Sequence, residues 1–202
     1  GGGDLVAITC GPARVVKMLT DAAAVGADSL LHILVEDLNA LDSTQVQTIL
    51  SAAVAHSGSD IVFCGKQAAD TNAGSTGPGV AHLMDASCVT MVSEVTPDGS
   101  SLMAMRASPN GNERVAVSAP CVFAFDKGIT ELRRPNVRGI MMAKKKVAET
   151  LGPADLGVDI STSSVSIVGH TPPPQKPPGQ KFEGADSVAA VVGKLRDEAN
   201  VI

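Results

Sequence analysis

Short apolar runs alternate with stretches in which apolar residues recur at every third or fourth position, so the first half of the chain predicts strands and helices in turn. Residues 5–8 form a first strand. Residues 13–25 read as a helix with Val15, Val16, Leu19 and Ala23 on one face, ended by Gly26. A second strand over 29–35 is followed by a helix over 43–56, with Val46, Ile49, Leu50, Ala53 and Val54 turned inward. Ile61, Val62, Phe63 and Cys64 read as a buried parallel strand, and Val80, Ala81, Leu83 and Met84 belong to a third helix with Pro78 in its first turn. Alternating strands and helices imply a parallel sheet covered on both faces.

Beyond the third helix the period changes. Apolar stretches over 89–95, 102–107, 114–118 and 121–125 are separated by Pro-Asp-Gly and Pro-Asn-Gly-Asn turns and read as hairpins that extend the sheet with antiparallel strands. Alternation of Leu102, Ala104 and Arg106 suggests that one of their faces is solvated. From Val147 proline takes over: six of the twelve prolines lie between Pro153 and Pro178, which bars this stretch from a sheet interior. Val165, Ile167 and Val168, with a terminal helix carrying Val188, Val191, Val192 and Leu195, are apolar groups in need of a surface, so an arm ordered on a partner is preferred to a free linker. The fold class is α/β: a three-layer, parallel-type sheet extended by antiparallel strands, then an extended arm and a terminal helix. The domain reading is an α/β body over 1–146 and an arm with its helix over 147–202.

Composition narrows the functions. A chain of 202 residues with 44% apolar residues can build a core, but with four Phe and neither Tyr nor Trp that core is aliphatic. Base stacking on aromatics is thereby disfavoured. A net charge of −5 and a pI near 5.3 give no pull on phosphate backbones, so nucleic acid is not an expected partner. No apolar run is long enough to span a membrane, and the opening Gly-Gly-Gly-Asp is neither a signal nor a transit peptide. Cys10, Cys64, Cys88 and Cys121 are widely spaced beside apolar stretches and read as buried free thiols in a reducing compartment. The four histidines are equally scattered, so no metal site and no catalytic cluster can be assembled.

The stretch with chemistry in it is Gly-Lys-Gln-Ala-Ala-Asp-Thr-Asn-Ala-Gly-Ser-Thr-Gly-Pro-Gly over 65–79, between the third strand and the third helix. Small residues there let backbone N–H groups approach an oxyanion, and the opening helix contributes the positive end of its dipole. Neither Gly-Lys-Ser/Thr nor G-x-G-x-x-G occurs, so by spacing alone a glycine-rich connection that only turns the chain is an equal reading.

Four segments resemble the β subunit of electron transfer flavoprotein: Gly65-Lys-Gln-Ala-Ala-Asp70, Cys10-Gly-Pro-Ala13 with Gly26-Ala-Asp28, Gly139-Ile-Met-Met-Ala-Lys-Lys-Lys146, and Pro153-Ala-Asp-Leu-Gly-Val-Asp159. Their order and spacing agree from about Leu5 onward. The resemblance implies a Rossmann-like adenine-nucleotide-binding fold and no catalytic residues in this chain. It also implies structural AMP held here, by Cys10 and by Gly65, Lys66, Gln67, Ala68, Asp70, Asn72, Ala73, Gly74, Ser75 and Thr76. The redox FAD is then held mainly by an α subunit in a heterodimer around which the arm wraps.

Residues 125–147 correspond to the loop that grips acyl-CoA dehydrogenases and related flavoenzymes, with Val137, Ile140, Met141, Lys144 and Lys145 as recognition residues. A solvated helix end is the plainer reading of Lys144, Lys145 and Lys146 with Arg133, Arg134 and Arg138. Two departures stand out. Asp70-Thr-Asn-Ala73 replaces the commoner Asp-Gly-Asp-Thr, leaving AMP, FAD or no ligand open; Val137-Arg-Gly-Ile-Met141 replaces Leu-Pro-x-Ile-Met, which removes about 0.8 kcal/mol of burial for the lost methylene. Measured against the family the chain also begins near the second major strand. The implied setting is the mitochondrial matrix in a eukaryote or the cytoplasm in a bacterium. A β-like interaction subunit without nucleotide, and an electron-bifurcating subunit with its own FAD, are the alternatives.

Overall fold

The computed structural model of the chain describes residues 3–126, 130–166, 168–176 and 178–202. It divides into two compact units, Gly1–Ser166 and Ile167–Ile202. The first contains β1 (Val6–Gly11), α1 (Val16–Val25), β2 (Ser29–Leu34), α2 (Ser43–Ser57), β3 (Ile61–Gly65) and α3 (Thr76–Leu83). It continues with β4 (Ser87–Asp98), β5 (Ser101–Ser108), β6 (Gly111–Val117), β7 (Cys121–Phe125), α4 (Val137–Ala143) and β8 (Glu149–Leu151). The second carries α5 (Val188–Asp197).

Among the described residues, hydrogen bonding groups the strands into two sheets. β1, β2 and β8 are parallel neighbours in that order, and the second sheet runs β3-β7-β4-β5-β6. Strand β2 has apolar side chains on both faces: Leu30 packs with Leu19, Ala23 and Ala27 on the α1 side, whereas Leu31 and Ile33 meet Ile49 and Ala53 of α2. This double burial makes three layers. His32, between them, is buried; its Nε2 donates to the Gly11 carbonyl at 2.8 Å, which ties the end of β1 to β2.

The run Cys121-Val-Phe-Ala124 corrects the hairpin reading. β7 is not paired with β6; it lies parallel between β3 and β4, with all four of these residues buried. An unbroken apolar run suits a strand covered on both faces, and here Val122 meets Val80 and Ala81 of α3 while Phe123 meets Val89, Val92 and Ala104. β4 serves two partners. Its register shifts beside Met91, which has φ of 59°, and the bulge redirects the strand from parallel pairing with β7 to antiparallel pairing with β5.

β3 departs from its buried reading. It is an edge strand: Ile61 is 37% and Phe63 56% exposed, because no described residue pairs with its outer edge or covers that face. Cys88 also departs, being exposed near the start of β4, while Cys121 is buried and all four cysteines are free thiols.

Residues 149–164 belong to the first unit and pack against its sheet and α2. β8 joins β2, and Leu156, Val158 and Ile160 settle on the α2 side of the core. The N-terminus of α2 then clasps residues 160–164. Asp42 and Gln45 form a reciprocal cap, each side chain accepting from the other's backbone N–H at 2.9 Å. Gln45 Nε2 donates to the carbonyls of Ile160 and Thr162, and Asp42 Oδ2 accepts from the Ser164 amide at 2.7 Å and the Ser163 hydroxyl at 3.1 Å. The Gln45 and Ser164 amides, foremost among these donors, hold the Asp42 carboxyl below the usual carboxylate range. A depressed folded value means that the contribution is present at neutral pH and lost as pH falls through that value. Asp42→Asn is therefore expected to speed amide exchange at 160–164 at pH 7, and the wild-type clasp to loosen only below about pH 4. Hydrogen exchange read by mass spectrometry checks both.

In the second unit, residues 171–176 form neither helix nor strand, as the prolines require. α5 presents Val188, Val192 and Leu195 along one side, with none of its residues buried. Ile167 and Pro177 of the expected arm lie outside the described residues.

Candidate functional site

At the carboxyl end of β3 the chain enters the loop over 65–76, and several contacts fix its path. The Lys66 amide donates to the Phe125 carbonyl at 2.7 Å, extending the β3–β7 pairing by a residue, and Lys66 Nζ lies 3.1 Å from Asp126 Oδ2. Lys66 thus ties the loop to the end of β7. Asp70 Oδ1 accepts from the Thr71 amide at 2.8 Å, and Gln67 Nε2 donates to Asn72 Oδ1 at 2.9 Å. Asn72 and Gly74 take φ of 51° and 60°, a left-handed conformation that asparagine and glycine tolerate best.

The loop ends on α3, whose first turn is uncapped: Ser75 makes no side-chain bond to it. Its leading amides therefore have no intrahelical acceptor, and the Ser75 side chain does not serve as one. Two close approaches hold this turn in place. A Cβ on Gly77 would lie 2.8 Å from Cys64 Sγ and 3.4 Å from the Ala124 Cβ, so only glycine fits without displacement. From α2, Gln47 Nε2 donates to the Ser75 carbonyl at 3.1 Å.

Beside the loop is an open cavity of about 920 Å³, lined by Phe63, Cys64, Gly65, Lys66, Gln67, Ala69, Asn72, Phe125 and Asp126. That volume suits a small molecule of nucleotide size. Of the residues singled out in the sequence, Gly65, Lys66, Gln67 and Asn72 line it; Ala68, Asp70, Ala73, Gly74, Ser75 and Thr76 do not. Cys10 is elsewhere, near the end of β1 with its side chain in the α2 cluster, where burial pushes its thiol up to about 11. Burial does the same to Cys64, with a smaller contribution from Cys88. Neither is poised as a thiolate nucleophile. Phe125 and Asp126 were not singled out because they reach the site only through the parallel insertion of β7; Gln47 gave no local signal. Among the described residues no cluster of His, Cys, Asp and Glu could hold a metal ion.

A second candidate surface is α4. Asn136 caps it, Oδ1 accepting from the Gly139 amide at 2.7 Å. Its outer side is apolar: Val137 is 75%, Met141 60% and Ile140 43% exposed, and Lys144 and Lys145 follow, also exposed. Residues 127–129 of the expected recognition loop lie outside the described residues.

Parallel strands covered by helices, with a small-residue loop leading from a strand's carboxyl end into an uncapped helix, define an α/β protein of Rossmann-like layout. Residues 1–156 match the family model of the electron transfer flavoprotein domain. The chain is 34% identical over 194 residues to the electron transfer flavoprotein subunit beta of Homo sapiens, an alignment covering 95% of this chain and 76% of that protein. It is 30% identical over 206 residues to the Bacillus subtilis subunit beta, covering 100% and 80%, and 31% over 201 residues to the mitochondrial subunit beta of Oryza sativa, covering 98% and 78%. The chain belongs to the electron transfer flavoprotein β-subunit family. Among the described residues no helix is long and apolar enough to cross a membrane.

Proposed function

We propose that this chain is the β subunit of a heterodimeric electron transfer flavoprotein: it pairs with an α subunit that holds the redox-active FAD, retains AMP as a structural ligand, and docks acyl-CoA dehydrogenase-type flavoenzymes. The observation that carries the nucleotide is the uncapped start of α3 at the end of a small-residue loop. Amides of that first turn, with the Ser75 and Thr76 hydroxyls, suit a phosphate as the missing cap. Lys66 is engaged by Asp126, so in this reading it holds the loop's shape and the amides do the binding. Bound AMP would supply negative charge and hydrogen-bond acceptors that order the loop, without taking part in redox chemistry.

The chain's contribution to electron transfer is positional. Its exposed α4 offers apolar side chains beside cations to a partner enzyme, and the arm with α5 offers an amphipathic surface to the α subunit. Docking sets the distance from donor to flavin, and the flavin carries the redox step. The proposed setting is the mitochondrial matrix in a eukaryote or the cytoplasm in a bacterium; a mitochondrial subunit beta and a bacterial one among the relatives support that pairing.

Denaturing the purified heterodimer and identifying what it releases by mass tests this reading. One AMP and one FAD per heterodimer are expected. Two FAD would point to an electron-bifurcating subunit, and FAD without AMP to a β-like interaction subunit; either result overturns the AMP assignment.

A further inference from the structure

The segment bearing α4 is fastened to the C-terminal end of α1 at three points. Lys146 Nζ donates to the Ala27 carbonyl at 2.6 Å and the Asp28 carbonyl at 2.9 Å, and Arg133 Nη1 donates to the Val25 carbonyl at 3.3 Å. These acceptors lie at and just past the helix end, where carbonyls lack intrahelical donors and the dipole is negative. Cations are the natural partners there. The third point is Gly139. A Cβ on it would lie 2.5 Å from the Ala24 carbonyl oxygen, so the bare Cα is what lets α4 rest on the last turn of α1. Ala143, 1% exposed among Leu19, Ala23, Ala27 and Leu30, completes the contact.

The mount divides the basic patch by task. Arg133 bonds to the last carbonyl of α1 and Lys146 to the carbonyls just past its end, whereas no side-chain bond among the described residues commits Arg134, Arg138, Lys144 or Lys145, which are exposed on the segment that carries Val137, Ile140 and Met141. Glycine is also a poor helix former, so its place inside a seven-residue helix answers to the approach and not to propensity. We propose that Gly139 and Lys146 are positioning residues for docking: they set the depth and rotation at which α4 presents Val137, Ile140 and Met141. This rests on the docking role proposed above.

The test uses the heterodimer as electron acceptor for an acyl-CoA dehydrogenase reduced by its acyl-CoA, with the heterodimer concentration varied. Gly139→Ala and Lys146→Met are expected to raise its KM about tenfold or more while kcat stays within about twofold, and Lys146→Arg is expected to keep KM near wild type. Amides of α4 should exchange faster in the first two variants. Ile140→Ala, which alters the contact surface itself, separates the two claims. If Ile140→Ala raises KM while Gly139→Ala and Lys146→Met leave it unchanged, or lower only kcat, docking stands and the positioning role is overturned. If none of the three moves KM, the docking role falls and this proposal with it. Should Gly139→Ala fail to fold, Lys146→Met and its arginine counterpart decide the question alone.

Discussion

Gly77→Ala is expected to lower the unfolding free energy by about 1–3 kcal/mol and to reduce retention of the AMP proposed above, and adding Cys64→Ala is expected to restore much of both. At an open helical position the same change would stabilise by about 1 kcal/mol, so the sign alone is diagnostic. The cause is local. Gly77 lies in the first turn of α3, and its new methyl would sit 2.8 Å from Cys64 Sγ, on a strand fixed by five paired residues to β7. Either the thiol leaves its contact with the Phe123 carbonyl at 3.6 Å, or the first turn lifts away from β3 and carries its amides with it. Removing Sγ relieves the clash. Denaturation of the four proteins of the cycle should give a favourable coupling of about 1–2 kcal/mol, and simple additivity would show that the approach is not what holds the turn.

Phe123→Ala is expected to cost about 3–5 kcal/mol, a large share of the stability of a domain this size. Phe123 is 0% exposed at the middle of β7, the strand that joins β3 to β4, and its ring lies 5.8 Å from that of Phe63 and 6.5 Å from that of Phe125. In a chain with four phenylalanines and no other aromatic residue, aliphatic neighbours must close the space that its loss would open. Val92 and Ala104 are themselves buried and short, so most of the cavity should persist. Phe182→Ala, at a 41% exposed position in the second unit, serves as the control and should change stability by no more than about 0.5 kcal/mol. Equal losses in urea titrations would show that Phe123 does not anchor this core.

Local pattern was enough for the elements whose signals are periodic. The recurrence of Ile49, Ala53 and Val54, bounded by an Asp42 cap and by Gly58 at φ of 68°, marks α2 without reference to the rest of the chain. Partnership of strands is another matter. Cys121-Val-Phe-Ala-Phe125 reads as a strand in any context, but whether it turns back on β6 or crosses to β3 depends on long-range pairing, which leaves no local trace. Of α4 only the end was legible, as a solvated helix end at Lys144, Lys145 and Lys146; seven residues with a glycine among them carry too little periodicity to mark its start. The loop over 65–76 stood out as a run of small residues between a strand and a helix, a pattern that local spacing alone left equal to a plain turn. Its supports did not, since Gln47 comes from α2 and Asp126 from the end of β7.

The bare flank of β3 reaches beyond the folded molecule. Among the described residues no strand pairs with the outer edge of β3, and an edge of that kind beside a half-exposed phenylalanine is a template on which other copies can stack, whatever the stability of the rest of the domain. Copies in which that edge stays uncovered are therefore expected to self-associate more readily as concentration rises, which light scattering would register.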